Sequence, residues 1–299
     1  MYLGVDIGGT DIKFGVVNAE GRIVARAAVP TPKTSAEAVA DAVAAGVKQL
    51  SAAFPAETVG VGTPGIVAPD GRVSAANLPF ADTPLADLIA ARIGRTAALG
   101  NDANCAALGE AAAGGEDDLL LVTLGTGVGG GIVTGGKPVV GAHGGAGEIG
   151  HMCIRVGGRA CPCGKRGCFE QYASASALTA AAKAAAAAHP DSLLAAYAKD
   201  GMDGKVFFRA VADGCPAAAA VLDAYLTDLA AGLESLQSIF DPAVIVLAGG
   251  ITEAGDALLA PLMQKLGADF PLKLSSLRSD AGVIGAAALG REEAARHAD

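Results

Sequence analysis

Hydrophobic positions along this chain fall into runs and periods that predict alternating strands and helices. Leu3–Val17 (LGVDIGGTDIKFGVV) is an apolar run, a Gly/Thr break, then a second apolar run. Leu120–Val133 (LLVTLGTGVGGGIV) repeats that pattern. Each predicts a β-hairpin closed by a tight, glycine-built turn. Their wide separation suggests a duplicated α/β domain. Between them, Val39, Val43, Val47 and Leu50 recur at helical spacing within Ser35–Phe54. Val59–Gly62 predicts a buried strand, ended by the Thr63-Pro64-Gly65 turn. Leu85–Ile93 predicts a helix. Asn101 or Asp102 caps another that runs towards Ala113. Later come a helix over 217–240, a strand over 243–248 ended by Gly249-Gly250, a helix starting at Thr252 and a helix over 283–296.

Alternating strands and helices with glycine turns at strand ends give an α/β fold with two domains. The polar break Gly114–Asp118 marks the boundary. The expected domains are therefore 1–114 and 115–282, with the C-terminal helix 283–299 packing back on the first.

Composition narrows the function. Hydrophobic residues make up 52% and charged residues 18% of the 299, which is globular and not disordered. A net charge of −9 without a basic stripe argues against nucleic acid as the main partner. The apolar runs 119–122 and 244–248 are too short to span a bilayer. The alanine-rich stretch 179–188 is broken by Lys183 and predicts a helix with a small-residue face. With no membrane or targeting segment, a cytoplasmic setting is expected, and a disulfide framework is not.

The densest chemistry lies in His151–Glu170 (HMCIRVGGRACPCGKRGCFE). His151, Cys161, Cys163 and Cys168 supply one imidazole and three thiolates in a glycine-rich loop. That is the donor set of a closed structural zinc site. Cys153 competes with His151 as the fourth ligand. Two carboxylates, Glu148 and Glu170, bracket the loop. Glu148 and His151 are three apart and share a face on a helical turn.

Elsewhere, Asp6 precedes Gly8-Gly9-Thr10, and Lys13 follows. Such a turn exposes N–H groups to phosphate oxygens, Thr10 adds a hydroxyl and Lys13 a cation. Asp6 is placed to act on Mg2+ or its water shell. Gly125-Thr126-Gly127 repeats the turn, and Gly249-Gly250 adds a third glycine pair. A dinucleotide fold would put its glycine turn between strand and helix; here both flanks are strands. Asp102 stands at a strand-to-helix junction. It is a helix cap, a general base for a hydroxyl nucleophile, or both. Asn101 beside it can donate and accept.

With these pieces in order along nearly the whole chain, the sequence resembles the ROK family of sugar kinases and repressors, within the hexokinase/actin-like ATPase superfamily. The matching segments are Asp6–Lys13, Gly62–Gly65, Asn101–Asn104, Leu124–Gly130, Gly147–His151 and Cys161–Glu170. The resemblance implies two actin-like, ribonuclease-H-like α/β domains with an interdomain cleft that closes over the sugar. It implies Asp102 as the base, and Gly65, Asn77, Asn101, Glu148, His151 and Glu170 as sugar ligands. His151 would place one ring nitrogen on zinc and turn the other towards sugar. Gly9, Thr10, Lys13, Thr126 and Gly127 would meet phosphates, and Gly249-Gly250 the nucleotide. The implied activity is transfer of the γ-phosphoryl of ATP to the 6-hydroxyl of a hexose, glucose first. The alternatives are N-acetylglucosamine or N-acetylmannosamine, or a non-catalytic sugar-sensing regulator. A homodimer is implied. With the first strand starting at Tyr2, the repressor branch, which carries an N-terminal helix-turn-helix, is not expected.

Overall fold

The computed structural model describes residues 1–298, with side chains through Ala295. Of the helix expected over 283–299, Asp299 lies outside the described residues. The chain forms two compact units.

The first unit contains Met1–Leu121, Gly131–Gly147 and the chain from Ser276 onward. Its elements begin with β1 (Tyr2–Ile7), β2 (Asp11–Val17), β3 (Ile23–Pro30), α1 (Ala36–Ala53) and β4 (Thr58–Thr63). Then come β5 (Ile66–Val67), β6 (Val73–Ala75), β7 (Phe80–Thr83), α2 (Leu85–Ile93), β8 (Ala98–Asn101) and α3 (Asp102–Gly114). The main sheet is ordered β3-β2-β1-β4-β8, and β5-β6-β7 form a small sheet beside the chain leaving β4. β1 and β2 are the expected hairpin, antiparallel, with Asp6 opposite Lys13. β1–β4 and β4–β8 pair in parallel.

Leu3, Val5, Ile7, Ile12 and Phe14 are buried because the sheet is covered. Val39, Val43, Val47 and Leu50 of α1 join them in one core. Ser35 caps α1 by accepting from the Ala38 N–H at 3.2 Å. The chain returns at its end as α10, the helix over 281–298, which packs on β1, β4 and α3. That approach is made by backbone. A Cβ on Gly4 would stand 1.9 Å from the Val283 carbonyl oxygen, and one on Gly60 1.7 Å from that of Ala286. Glu110, buried on α3, accepts from the N–H groups of Ser276 (3.3 Å) and Leu277 (3.1 Å), where the chain re-enters this unit.

The second unit contains Val122–Gly130 and Glu148–Ser275. β9 (Leu119–Leu124) and β10 (Val128–Thr134) carry the chain across its boundary, and β11 (Lys137–Pro138) follows. Next are α4 (Glu170–Ala173), α5 (Ala175–Ala188), α6 (Leu193–Tyr197), α7 (Gly204–Ala212) and α8 (Pro216–Phe240). β12 (Val244–Ala248), α9 (Asp256–Leu266) and β13 (Leu272–Leu274) complete it. The second sheet runs β11-β10-β9-β12-β13. Pro216 starts α8, where its missing N–H costs nothing, and Asp241 ends it in a left-handed conformation. The helix expected from Thr252 is divided. A 3-10 turn over Gly250–Ala254 precedes α9, and Gly255 (φ +55°) separates the two. Among the described residues, no helix is long and apolar enough to cross a membrane.

Candidate active site and metal centre

In the first unit the polar groups gather where β1, β4 and β8 end. Asn101 is the cap of α3: its Oδ1 accepts from the N–H groups of Ala103 (2.9 Å) and Asn104 (3.2 Å). Its Nδ2 donates to the carbonyl of Gly65 at 2.9 Å. Gly65 has φ +93°, and a Cβ there would lie 2.3 Å from the Ser74 carbonyl oxygen. So glycine is required at that bend, and it fixes Asn101. Asp102 is thereby released from capping alone; its Oδ1 accepts from the Ala103 N–H at 2.8 Å. Burial, opposed by that N–H and reinforced by the nearby charge of Asp6, pushes Asp102 up to about 6. Burial also raises Asp6, and Lys13 pulls it back down. Asn77 is exposed on the turn between β6 and β7, with no hydrogen bond to this group among the described residues.

The turn between β1 and β2 is held from outside. The Gly8 N–H donates to the Asp11 carbonyl at 2.9 Å, and the Thr31 hydroxyl donates to that of Gly8 at 2.8 Å. Lys33 Nζ donates to the carbonyl of Gly9. Gly9 and Thr10 are exposed, and a Cβ on Gly9 would meet nothing within 4 Å.

In the second unit, His151 and the three cysteines come together, each offering a ligand atom within 4.8 Å of all the others. His151 Nδ1 is 3.8 Å from Cys161 Sγ, and Cys163 Sγ is 3.6 Å from Cys168 Sγ. A tetrahedral zinc with Zn–S bonds of about 2.3 Å has sulfur edges of about 3.8 Å, so the spacing fits. The protonation chemistry agrees. Burial and the neighbouring sulfurs of Cys163 and Cys161 push Cys168 up to about 12. A bound cation would favour the thiolate form of Cys168. Cys153 stands outside the set, its Sγ directed to the Arg166 carbonyl at 3.6 Å.

The loop is braced on its far side. The guanidinium groups of Arg155 and Arg159 lie over the Tyr172 ring, 5.0 and 4.6 Å from its centroid, and Tyr172 Oη accepts from the Arg159 backbone N–H at 2.7 Å. His151 ends the 3-10 turn Ile149–His151, with Nε2 3.9 Å from Glu148 Oε2. One ring nitrogen thus faces the cysteines and the other a carboxylate. Glu170 opens α4, and its Oε2 accepts from the Val128 N–H at 3.2 Å.

The second unit also holds a cavity of about 970 Å³, lined by Leu124, Gly125, Thr126, Lys183, Met202, Asp203, Gly204, Lys205, Phe208, Gly250, Ile251 and Glu253, among others. Gly125, Gly204 and Gly250 have no left-handed φ, and a Cβ on any of them would meet nothing within 4 Å. Neither conformation nor packing demands glycine at these positions, so the open space above them is available to a ligand. Gly249 differs: φ is +100°, and its Cβ would strike the Leu124 carbonyl oxygen at 2.4 Å. Lys183, Met202, Asp203, Lys205 and Phe208 have no motif in the sequence. They lie on or beside α5 and α7, and only the fold brings them to the Gly125-Thr126 turn.

Comparison with known proteins finds relatives over nearly the whole chain. The sequence profile of the ROK family matches residues 2–293. A glucokinase of Streptomyces coelicolor is 38% identical over 98% of both chains. An N-acetyl-D-glucosamine kinase of Salmonella typhimurium is 35% identical over 84% of both. Among solved structures, the ROK family glucokinase from Streptomyces griseus in complex with glucose and AMPPNP superposes with a TM-score of 0.81. It is 37% identical and covers 97% of this chain and 99% of its own.

Proposed function

The chain belongs to the ROK family, and from that premise we propose how its residues carry out ATP-dependent phosphorylation of glucose. The activity itself is that of an ATP-dependent glucose kinase, an enzyme of the actin-like ATPase fold. The observation that carries the residue assignment is Asp102. It is a half-buried carboxylate raised to about 6, beside the Asn101 side chain that caps α3.

In this reading Asp102 is ionised at neutral pH and takes the proton of the sugar's 6-hydroxyl as that oxygen attacks the γ-phosphorus. The new O–P bond forms as the bond to the β-phosphate oxygen breaks, and ADP leaves. Asn101 and Gly65 bind sugar hydroxyls beside the base, with Asn77 at the edge. Glu148, His151 and Glu170 take further hydroxyls, held in place by the zinc loop. Gly8, Gly9, Thr10 and Lys13, with Thr126, meet phosphate oxygens. The cavity beside Gly250 takes the nucleoside, its apolar side formed by Met202, Phe208 and Ile251. Asp6, half-buried and opposite Lys13, would hold Mg2+ or its water shell, and that ion would neutralise phosphate charge. Zinc would be structural. The same reading takes the protein as a cytoplasmic homodimer.

One observation favours a second substrate, the 35% identity to an N-acetyl-D-glucosamine kinase. A coupled ADP-release assay with magnesium ATP tests both. It would compare glucose, N-acetylglucosamine, N-acetylmannosamine and mannose. Preference for glucose is expected. Preference for a 2-acetamido sugar replaces glucose as substrate, and no turnover with any of them points to another phosphoryl donor, an untested sugar or the sugar-sensing alternative.

A further inference from the structure

The sequence pattern treats Gly125 and Gly127 as two equivalent glycines of one phosphate turn. The structure separates them. Gly125 opens onto the nucleotide-sized cavity, and nothing occupies the place of its missing side chain. Gly127 does not line that cavity, and the place of its missing side chain is filled. A Cβ there would lie 2.1 Å from Glu170 Oε2 and 3.1 Å from Glu170 Cδ. The φ of Gly127 is not left-handed, so conformation does not demand glycine. The neighbouring Val128 N–H donates to the same Oε2 at 3.2 Å. The Val128 carbonyl in turn lies close against Gly150, where a Cβ would come within 2.1 Å of its oxygen.

We propose that Gly127 is a positioning residue for sugar binding: it is the notch that seats the Glu170 carboxylate against the Val128 N–H. The proposal rests on the reading of Glu170 as a sugar ligand. Its physical content is steric. Two atoms cannot share that space, so any side chain at 127 must drive the carboxylate off the Val128 N–H and change where its oxygens stand. The turn thereby links two substrates. Its Gly125-Thr126 half faces the nucleotide cavity, and its Gly127-Val128 half sets a group that holds the sugar.

The test is isothermal titration of glucose in the absence of nucleotide, with steady-state KM values for glucose and ATP. It uses wild type, Gly127→Ala, Gly125→Ala, Glu170→Ala and the double variant Gly127→Ala/Glu170→Ala. Gly127→Ala is expected to weaken glucose binding by at least about tenfold, the effect of losing one charge-assisted hydrogen bond. Its KM for ATP should stay within about twofold of wild type. Gly125→Ala should do the reverse. In the Glu170→Ala background, Gly127→Ala should add nothing to the glucose loss. If Gly127→Ala fails to fold and the double variant folds, the steric contact is confirmed. A raised KM for ATP with unchanged glucose affinity in Gly127→Ala overturns the proposal, as do additive losses in the double variant. Unchanged glucose affinity in Glu170→Ala is a different failure: it removes the reading of Glu170, and the proposal falls with it.

Discussion

The two glycine turns share one sequence pattern, yet they are stabilised in different ways. The turn at Gly8-Gly9-Thr10 is clasped from behind by Thr31 and Lys33, which bond its carbonyls and leave Gly9 and Thr10 facing outward. The turn at Gly125-Thr126-Gly127 is clasped from within, by a carboxylate occupying the notch of its last glycine. The first turn is free to serve an anion alone. The second is tied to Glu170 and, through α4, to the loop that ends at Cys168. A repeated motif therefore records a shared backbone geometry, and the neighbours decide its duty.

The largest test of this contrast lies with Asp102, in the first turn's unit. Asp102→Asn should lower kcat by about 10² to 10⁴, the range for losing a general base, while ATP and glucose still bind by titration. Near-normal turnover would remove Asp102 as base. Its raised pKa gives two further expectations. The kcat/KM of wild type should fall as pH drops through about 6, and that limb should be missing in the residual activity of the variant. For stability, the folded pKa of about 6 exceeds the ordinary 3.8, so the folded state binds the proton more tightly. Asp102 therefore favours folding most at low pH, and stability declines as pH rises through that window. Asp102→Asn should thus raise Tm at neutral pH by a few degrees, from a gain on the order of 2 kcal/mol after allowing for partial solvent access. A lower Tm would refute the burial argument.

Metal removal probes the second turn alone. Cys163→Ser, or chelation, should lower Tm and weaken glucose at least about tenfold by loosening the support of His151 and Glu170. KM for ATP should change less. A zinc-free, folded protein that binds glucose normally would sever the link between loop and turn. The first turn is addressed by Lys13→Ala, expected to raise the KM for ATP by about tenfold with little change in glucose binding. The smallest effect is reserved for Gly9→Ala. The methyl has room, so Tm should hold within about 1 °C while the KM for ATP rises a few-fold. A large loss of Tm would show that the space above Gly9 is not open.

Much of this was legible in the sequence because local physics dictated it. The hairpin periods, the helical spacing of Val39, Val43, Val47 and Leu50, the Asn101-Asp102 junction and the spacing of Cys161, Cys163 and Cys168 are short-range signals. The strand β3 also carries a plain alternation, with Ile23, Ala25, Ala27 and Val29 packing inward on the core. Other features had none. β5, β6 and β7 are two to four residues long in Pro-, Gly- and Asp-rich chain, too short for a period to appear. The break at Gly114–Asp118 is a real polar turn, but Gly131–Gly147 clusters with the first unit, a matter of long-range packing. The cavity side chains of α5 and α7 meet the Gly125-Thr126 turn only through tertiary folding. So does the filling of the Gly127 notch, since Glu170 is remote in sequence and no pattern at 125–127 names its occupant.

The glycines that let α10 lie against β1 and β4 also set an order of events during synthesis. The strand that leaves the ribosome first is covered by the helix that leaves last, and residues 148–275 are made in between. The second unit's α4–α9 can assemble while the chain is still growing, but the sheet of the first must wait with one face uncovered. Such distant pairing is slow and exposes apolar surface to other chains. A message truncated before Ala281 would leave an intact metal loop attached to an unfinished nursery of strands, a product for chaperones and proteases and not a smaller enzyme.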